Sequence, residues 1–207
     1  MIAPAPRVGL APGQYYSKRW IYYSALGEPE IRAEDWRLKV HGLVERPAVM
    51  TLAEVEKMPQ TQLTRDFQCV TKWSIKDVEW EGVRLIEIGK LVGVKPEARW
   101  VVFRCADGYA TPVPLEDAMS DEALIALRMN GVPIPRPQGY PARPFIPHLY
   151  GWKSAKWLVE IEFAPSYADG YWEKFGYHER GNIWEEERFK GHVGTHHLRR
   201  VTGSAPV

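Results

Sequence analysis

Cysteine is scarce in this 207-residue chain, with Cys69 and Cys105 its two examples. Two are too few for a secreted disulfide scaffold, although a single bridge between them stays open. An excess of one charge is equally absent. The 27 Lys+Arg and 26 Asp+Glu leave +1, with no long basic block. This argues against nucleic acid as the main partner, because phosphate binding relies on a concentrated positive field. No apolar run is longer than Ala123–Leu127, about a quarter of the ~20 residues that a membrane span requires. The first residues carry one basic side chain, Arg7, and are broken by Pro4, Pro6 and Pro12. A signal peptide's apolar segment does not form there, so a cytoplasmic location is expected. Also missing are G-x-G-x-x-G, the P-loop, H-E-x-x-H and C-x-x-C. Dinucleotide, nucleotide, zincin and thioredoxin readings therefore lack support.

What the chain does carry is aromatic mass. Its 9 Trp and 10 Tyr suit large flat ligands or extensive aromatic packing. The length allows a core that needs no staples, while 17 Pro and 17 Gly interrupt the chain too often for a long helical bundle. Residues 1–30 read as an irregular arm whose Tyr15, Tyr16, Trp20, Tyr22 and Tyr23 favour packing onto the body. Trp36, Leu38 and Val40 alternate with Arg37, Lys39 and His41, which predicts a half-buried strand. Thr51 and Glu54 signal a capped short helix over 52–58, ahead of a strand over 61–70. Helical spacing over 85–92 stops at Gly93, a favoured residue just past a helix end.

A buried strand over 100–105 turns at Asp107-Gly108 into a partner over 109–113. Residues 114–117 look like a helical turn. Residues 124–129 alternate as a strand up to the hairpin signal Asn130-Gly131, with a helix over 115–129 as the competing reading. Six prolines between Pro133 and Pro147 predict an extended, helix-free crossing. A further strand is expected over 157–163, then an aromatic stretch without clean periodicity from Tyr167 to Phe189. The expectation is an α+β body over 31–189 with mixed sheets, short helices and many irregular loops. It is flanked by the arm over 1–30 and a loose tail over 190–207.

Three features carry candidate chemistry. Cys69 ends an apparent buried strand and is followed at once by a polar loop. It is either a small core hydrophobe or a thiolate nucleophile or metal ligand, favoured by Lys72. Cys105 has the same two readings in a stronger core context. Arg143, Lys153 and Lys156 flank a proline-stiffened crossing and a short loop. There the backbone N–H groups of Ser154 and Ala155 can hold a phosphate, unless the lysines are merely solvated. His192, His196 and His197 read as a solvated tail rather than a metal site, since no Cys or acidic partner lies at ligand spacing.

Taken together, four ordered blocks resemble the sulfite oxidase family of molybdopterin enzymes, and above all its short bacterial members without a haem domain. The blocks are Trp36 to Val44; Asp66 to Ser74 (Asp-Phe-Gln-Cys-Val-Thr-Lys-Trp-Ser); Asp107 to Ala118; and Met129 through Arg143 to Trp157, ending Lys-Ser-Ala-Lys-Trp. A fifth, Gly176 to Gly181, looks like a late block of the short members. The resemblance implies a sulfite oxidase-type fold and one molybdenum–molybdopterin cofactor per chain, with no haem. It implies that the Cys69 thiolate binds the metal, since soft sulfur donors suit it and a coordinated thiol loses its proton. Arg143 matches the family arginine at the pterin, and Lys153, Ser154, Ala155 and Lys156 match the cofactor-holding loop. Cys105, Gln138 and His148 fall at or near further cofactor positions. Tyr109 aligns with the family tyrosine beside the metal, which implies a substrate-orienting or proton-donating catalytic role.

Departures accompany the match. Family arginines that follow the metal cysteine are replaced by Lys72 and Trp73, and an Arg-Asn-His stretch by Tyr22-Tyr23-Ser24. Gln138 stands where the family has His or Asn, and the dimerisation domain that supplies a further substrate arginine has no room. A dianion such as sulfite is left with few positive partners. The resemblance thus implies oxygen-atom transfer to or from a sulfite-like or sulfoxide-type small molecule, with an external electron carrier. The alternatives are a non-catalytic cofactor-binding module and, more remotely, a plain interaction domain.

Overall fold

A computed structural model of the chain describes residues 7–191. Residues 192–207 of the expected tail, with His192, His196 and His197, therefore lie outside the described residues. Two mixed sheets organise the remainder. The first strand, β1 (Tyr15–Tyr16), shows that the arm is not wholly irregular, because it pairs in parallel with Trp73–Ser74. In β2 (Arg37–Gly42), Leu38 and Val40 are buried while Arg37 and Lys39 are exposed, the period-two outcome of one covered face. An edge strand, β3 (Ala48–Thr51), leads into α1 (Leu52–Lys57). Thr51 Oγ1 accepts from the Glu54 N–H at 3.3 Å and Glu54 Oε2 accepts from the Thr51 N–H at 2.8 Å, which satisfies two donors the helix start leaves open.

A long antiparallel ribbon follows, β4 (Gln60–Gln68) against β5 (Trp73–Arg84). The observed strand stops two residues short of the expected 61–70 because the chain leaves the ladder at Cys69 and turns. Helix α2 (Leu85–Val92) buries Leu85, Ile88 and Val92 and ends at Gly93 with φ 67, a left-handed cap that glycine adopts without steric cost. The pair β6 (Trp100–Cys105) and β7 (Ala110–Pro114) closes over Asp107-Gly108. After the single-turn helix α3 (Leu115–Ala118), residues Leu124–Met129 form the strand β8. Asn130 (φ 53) and Gly131 (φ 77) then reverse the chain into β9 (Val132–Pro133), the positive-φ pair of a tight hairpin.

The proline-rich crossing holds one short 3₁₀ turn, Arg136–Gln138, and then the strand β10 (Arg143–Phe145). It is therefore not wholly helix-free, since proline is tolerated in a first helical turn. The last strand, β11 (Leu158–Ala164), sits mid-sheet between β2 in parallel and β6 antiparallel. One sheet thus runs β3-β2-β11-β6-β7, and the other runs β1-β5-β8-β10 with β4 on β5 and β9 on β8. The α+β expectation holds. The main core gathers Leu38, Val40, Ile88, Phe103, Ile161 and Phe163, while Phe67, Trp80 and Phe145 belong to a second cluster. Both cysteines are free thiols. No helix among the described residues is long and apolar enough to cross a membrane.

Candidate active site

A cavity of about 440 Å³ opens among the arm near Trp20–Ala25, the β4–β5 turn, the β6–β7 turn at Asp107 and Tyr109, the crossing at Pro137–Gln138, Arg143 of the crossing's strand, the loop over 151–156, and Trp172 with Tyr177. Its size is that of a small-molecule or cofactor pocket. Cys69 lies on its wall, half-buried, with its Sγ 3.2 Å from Thr71 Oγ1. Lys72 is exposed and not part of the wall, so the expected help from its charge is not seen in the geometry.

Arg143 enters from β10 and is 2% exposed. Its Nε donates to Ser154 Oγ at 2.9 Å, Nη1 to the Gln138 carbonyl at 2.8 Å and Gln138 Oε1 at 3.0 Å, and Nη2 to the Ser154 carbonyl at 2.7 Å. The guanidinium also lies over the rings of Phe67 and Trp80. Burial pushes its pKa down to about 10, which leaves it charged at neutral pH. Arg143 thereby ties the crossing to the loop. The close approach of the two segments requires Gly139, where φ is +107 and an added Cβ would lie 2.8 Å from the Lys156 Cα.

Several donors on this wall have no protein acceptor. The Gln138 Nε2 is buried without a hydrogen-bond partner. Among the described residues, the backbone N–H groups of Ala155 and Lys156 also donate to nothing, whereas that of Ser154 is taken by the Gly151 carbonyl at 3.1 Å. Lys156 Nζ donates to the Tyr23 carbonyl at 2.8 Å, Ser24 Oγ at 2.7 Å and the Pro137 carbonyl at 3.2 Å. Burial, and then the neighbouring Arg143, push its pKa down to about 8.

Four expected site residues are placed differently. Lys153 is 1% exposed and off the wall. Its Nζ donates to the Pro112 carbonyl at 2.6 Å, Glu173 Oε1 at 2.7 Å and the Glu179 carbonyl, so all three donors are used inside the protein. His148 also lies off the wall, with Nε2 2.8 Å from Asp117 Oδ1. Burial raises the Asp117 pKa, but hydrogen bonds from His148 and Arg180 outweigh it and hold the carboxyl below its usual range. Cys105 is buried in the main core, where burial pushes its thiol pKa up, as for a small hydrophobe. The Tyr109 ring does reach the wall beside the cavity of Cys69, but its hydroxyl donates to the Trp152 carbonyl at 2.7 Å. Burial and then Glu173 push that phenol well above its ordinary pKa. It therefore keeps its proton and directs it to the backbone rather than into the cavity.

Sequence reasoning passed over Asp107, Phe67, Trp172 and Tyr177 as wall residues, and Glu173 as the anchor behind them. Glu173 lies in the aperiodic stretch where no pattern signals burial. Thr71 stood in a quoted block, but only the turn brings it to the sulfur.

Among the described residues no group of three His, Cys, Asp or Glu side chains is placed to hold a metal ion. A metal at Cys69 would need its remaining ligands from a cofactor. The wall suits such a group: one soft sulfur, with unpartnered N–H donors and a cation for an anionic tail. A family model described as "Oxidoreductase molybdopterin binding domain" matches residues 25–172. "Uncharacterized oxidoreductase YuiH" of Bacillus subtilis is 42% identical over 154 residues, 74% of this chain and 78% of that one. "Sulfite oxidase, mitochondrial" of Drosophila melanogaster is 28% identical across 83% of this chain and 35% of its own. "Protein-methionine-sulfoxide reductase catalytic subunit MsrP" of Ralstonia nicotianae is 29% identical across 69% and 47%. The crystal structure of the sulfane dehydrogenase SoxCD from Paracoccus pantotrophus superposes with a TM-score of 0.64 at 25% identity, covering 72% of this chain and 42% of that one. The chain spans less than half the length of these last three.

Proposed function

The chain belongs to the family of oxidoreductases with a molybdopterin binding domain, and from that premise we propose that it transfers an oxygen atom from an uncharged, sulfoxide-type substrate in the cavity at Cys69. The bound molybdenum cofactor supplies two-electron oxygen-atom exchange, while the protein supplies binding, orientation and electrostatics. In this reading the Cys69 sulfur ligates the metal. The Gln138 amide and the backbone N–H groups of Ala155 and Lys156 donate to the cofactor's anionic part, and the Lys156 ammonium, its own three donors already taken, adds its positive charge beside them.

The observation that carries the substrate class is the state of the cations. Arg143 and Lys156 are the two cationic residues of the wall. Arg143 already donates four hydrogen bonds to protein oxygens and Lys156 three. The wall also carries Asp107, whose pKa burial raises. A sulfite dianion would have to be desolvated there without a free positive partner, a costly transfer. An organic sulfoxide has no net charge to desolvate and gains contact with Trp20, Tyr22, Tyr23, Trp172 and Tyr177 around the cavity. Each turnover would take two electrons and two protons, releasing thioether and water, with the electrons delivered by an external carrier.

The test is protein made in a host that synthesises molybdopterin, assayed for molybdenum and for turnover with reduced dye plus organic sulfoxides against ferricyanide plus sulfite. Sulfoxide-dependent dye oxidation with sulfite at background is expected. Faster turnover of sulfite would overturn the substrate class, and protein without molybdenum would overturn the cofactor reading.

A further inference from the structure

The turn from β4 to β5 is four residues long, Cys69-Val70-Thr71-Lys72, and it is braced from two directions. Within it, the Lys72 N–H donates to the Cys69 carbonyl at 3.0 Å and the Cys69 N–H to the Trp73 carbonyl at 2.9 Å. From the arm, Gln14 Nε2 donates to the Cys69 carbonyl and the Tyr15 N–H to the Lys72 carbonyl, both at 2.9 Å. Lys72 adopts φ 77, a left-handed conformation that non-glycine residues rarely take unless their surroundings hold it. The result is a fixed pairing of side chains. Cys69 and Thr71 line the same cavity, with Sγ and Oγ1 3.2 Å apart.

A thiol and a hydroxyl at this distance can each be the donor. A sulfur bound to a metal is a thiolate and has no proton to give. With Cys69 as ligand, the hydrogen bond runs one way only, from the Thr71 hydroxyl to the sulfur. We propose that Thr71 is a positioning residue that raises the reduction potential of the metal held at Cys69 by donating this hydrogen bond. A donor on a ligating sulfur draws electron density away from the metal, which favours the lower oxidation state. Thr71 is exposed and its hydroxyl makes no other hydrogen bond among the described residues, so losing the hydroxyl leaves the fold unaffected.

The assignment rests on Cys69 being the metal ligand, and the experiment keeps the two apart. Holoenzyme from a cofactor-synthesising host is compared with Thr71→Val, which keeps the shape without the hydroxyl, Thr71→Ala, and Thr71→Ser, which keeps the donor. Metal content, thermal unfolding, the sulfur-to-metal absorption band and an EPR-monitored redox titration are recorded for each. Thr71→Val and Thr71→Ala should load metal and unfold as wild type. Their reduced-to-oxidised ratio at a given potential should fall by about tenfold, ~59 mV for a one-electron couple, and the absorption band should move to lower energy. Thr71→Ser should stay close to wild type. Unchanged potential and band in both Val and Ala variants, with metal in place, overturns the role of Thr71. Absence of molybdenum from the wild type overturns the ligand reading itself.

Discussion

Lys153 and Lys156 stand on one loop, yet they belong to regions with opposite chemistry. Behind the cavity, Lys153 meets Glu173, and Glu173 Oε1 also accepts from Thr111 Oγ1 and Trp152 Nε1, each at 3.0 Å. Both partners of the ion pair are sealed from water. On the wall, Lys156 donates only to oxygens of the arm and the crossing, and unpartnered donors surround it. Although Glu173 Oε2 is buried without a partner, the donors gathered on Oε1 fix position, since removing any of them leaves a charge or dipole stranded at low dielectric. Donors without protein acceptors fix nothing, but they are ready for a ligand. Lys153 is therefore scaffold inside a sealed network, while Lys156 lends its charge to a wall whose open donors are the Gln138 amide and the backbone N–H groups of Ala155 and Lys156.

Cys69→Ser separates the two regions most sharply. Activity should fall to background while the urea midpoint stays at the wild-type value, because a hydroxyl matches the thiol in size but is a poor soft ligand. Retained activity in that variant would remove Cys69 from the site. Lys153→Ala should do the reverse and act on the fold. It strands the buried Glu173 carboxylate, which costs about 3–5 kcal/mol, visible as a large drop in the urea midpoint. A near-neutral result would show that the pair does not anchor the loop.

Lys156→Ala should leave stability close to wild type and weaken cofactor retention by about tenfold to a hundredfold, the loss of one charge-assisted contact. The same amine sets a pH dependence. Burial depresses its pKa to about 8, and a bound anion favours the charged form and raises it again. Retention is therefore full below about pH 8, where the amine is charged in either state, and declines as pH rises above it. Molybdenum content after dialysis across pH 7 to 10 reads this, and Lys156→Ala should flatten the profile. The smallest effect is expected for Tyr109→Phe. It removes one buried hydrogen bond and leaves the Trp152 carbonyl without its donor, about 1–3 kcal/mol in thermal unfolding, with turnover reduced less than tenfold. A larger loss of turnover at unchanged stability would return Tyr109 to a proton-donating role.

Elements governed by local rules were legible in the chain itself. The Thr51 cap, the Gly93 stop, the Asn130-Gly131 reversal, the alternating strand Arg37–Gly42 and the strand Leu124–Met129, which is buried on both faces, each follow from the backbone and side-chain preferences of a few neighbouring residues. The block containing Cys69, Arg143, Ser154, Ala155 and Lys156 was legible too, since these residues share one cavity wall. Spacing could not tell Lys153 from Lys156, because their environments come from segments distant in sequence: Pro112, Glu173 and Glu179 for one, Tyr23, Ser24 and Pro137 for the other. It could not foresee that His148 turns to Asp117, or that the Tyr109 hydroxyl is taken by Trp152. Sequence alone determined which residues have the chemistry for a thiolate, an anion cradle and an aromatic pocket. Only the tertiary structure decided which of them face the cavity, because a polar side chain in a folded interior goes to the partner that long-range packing brings within reach.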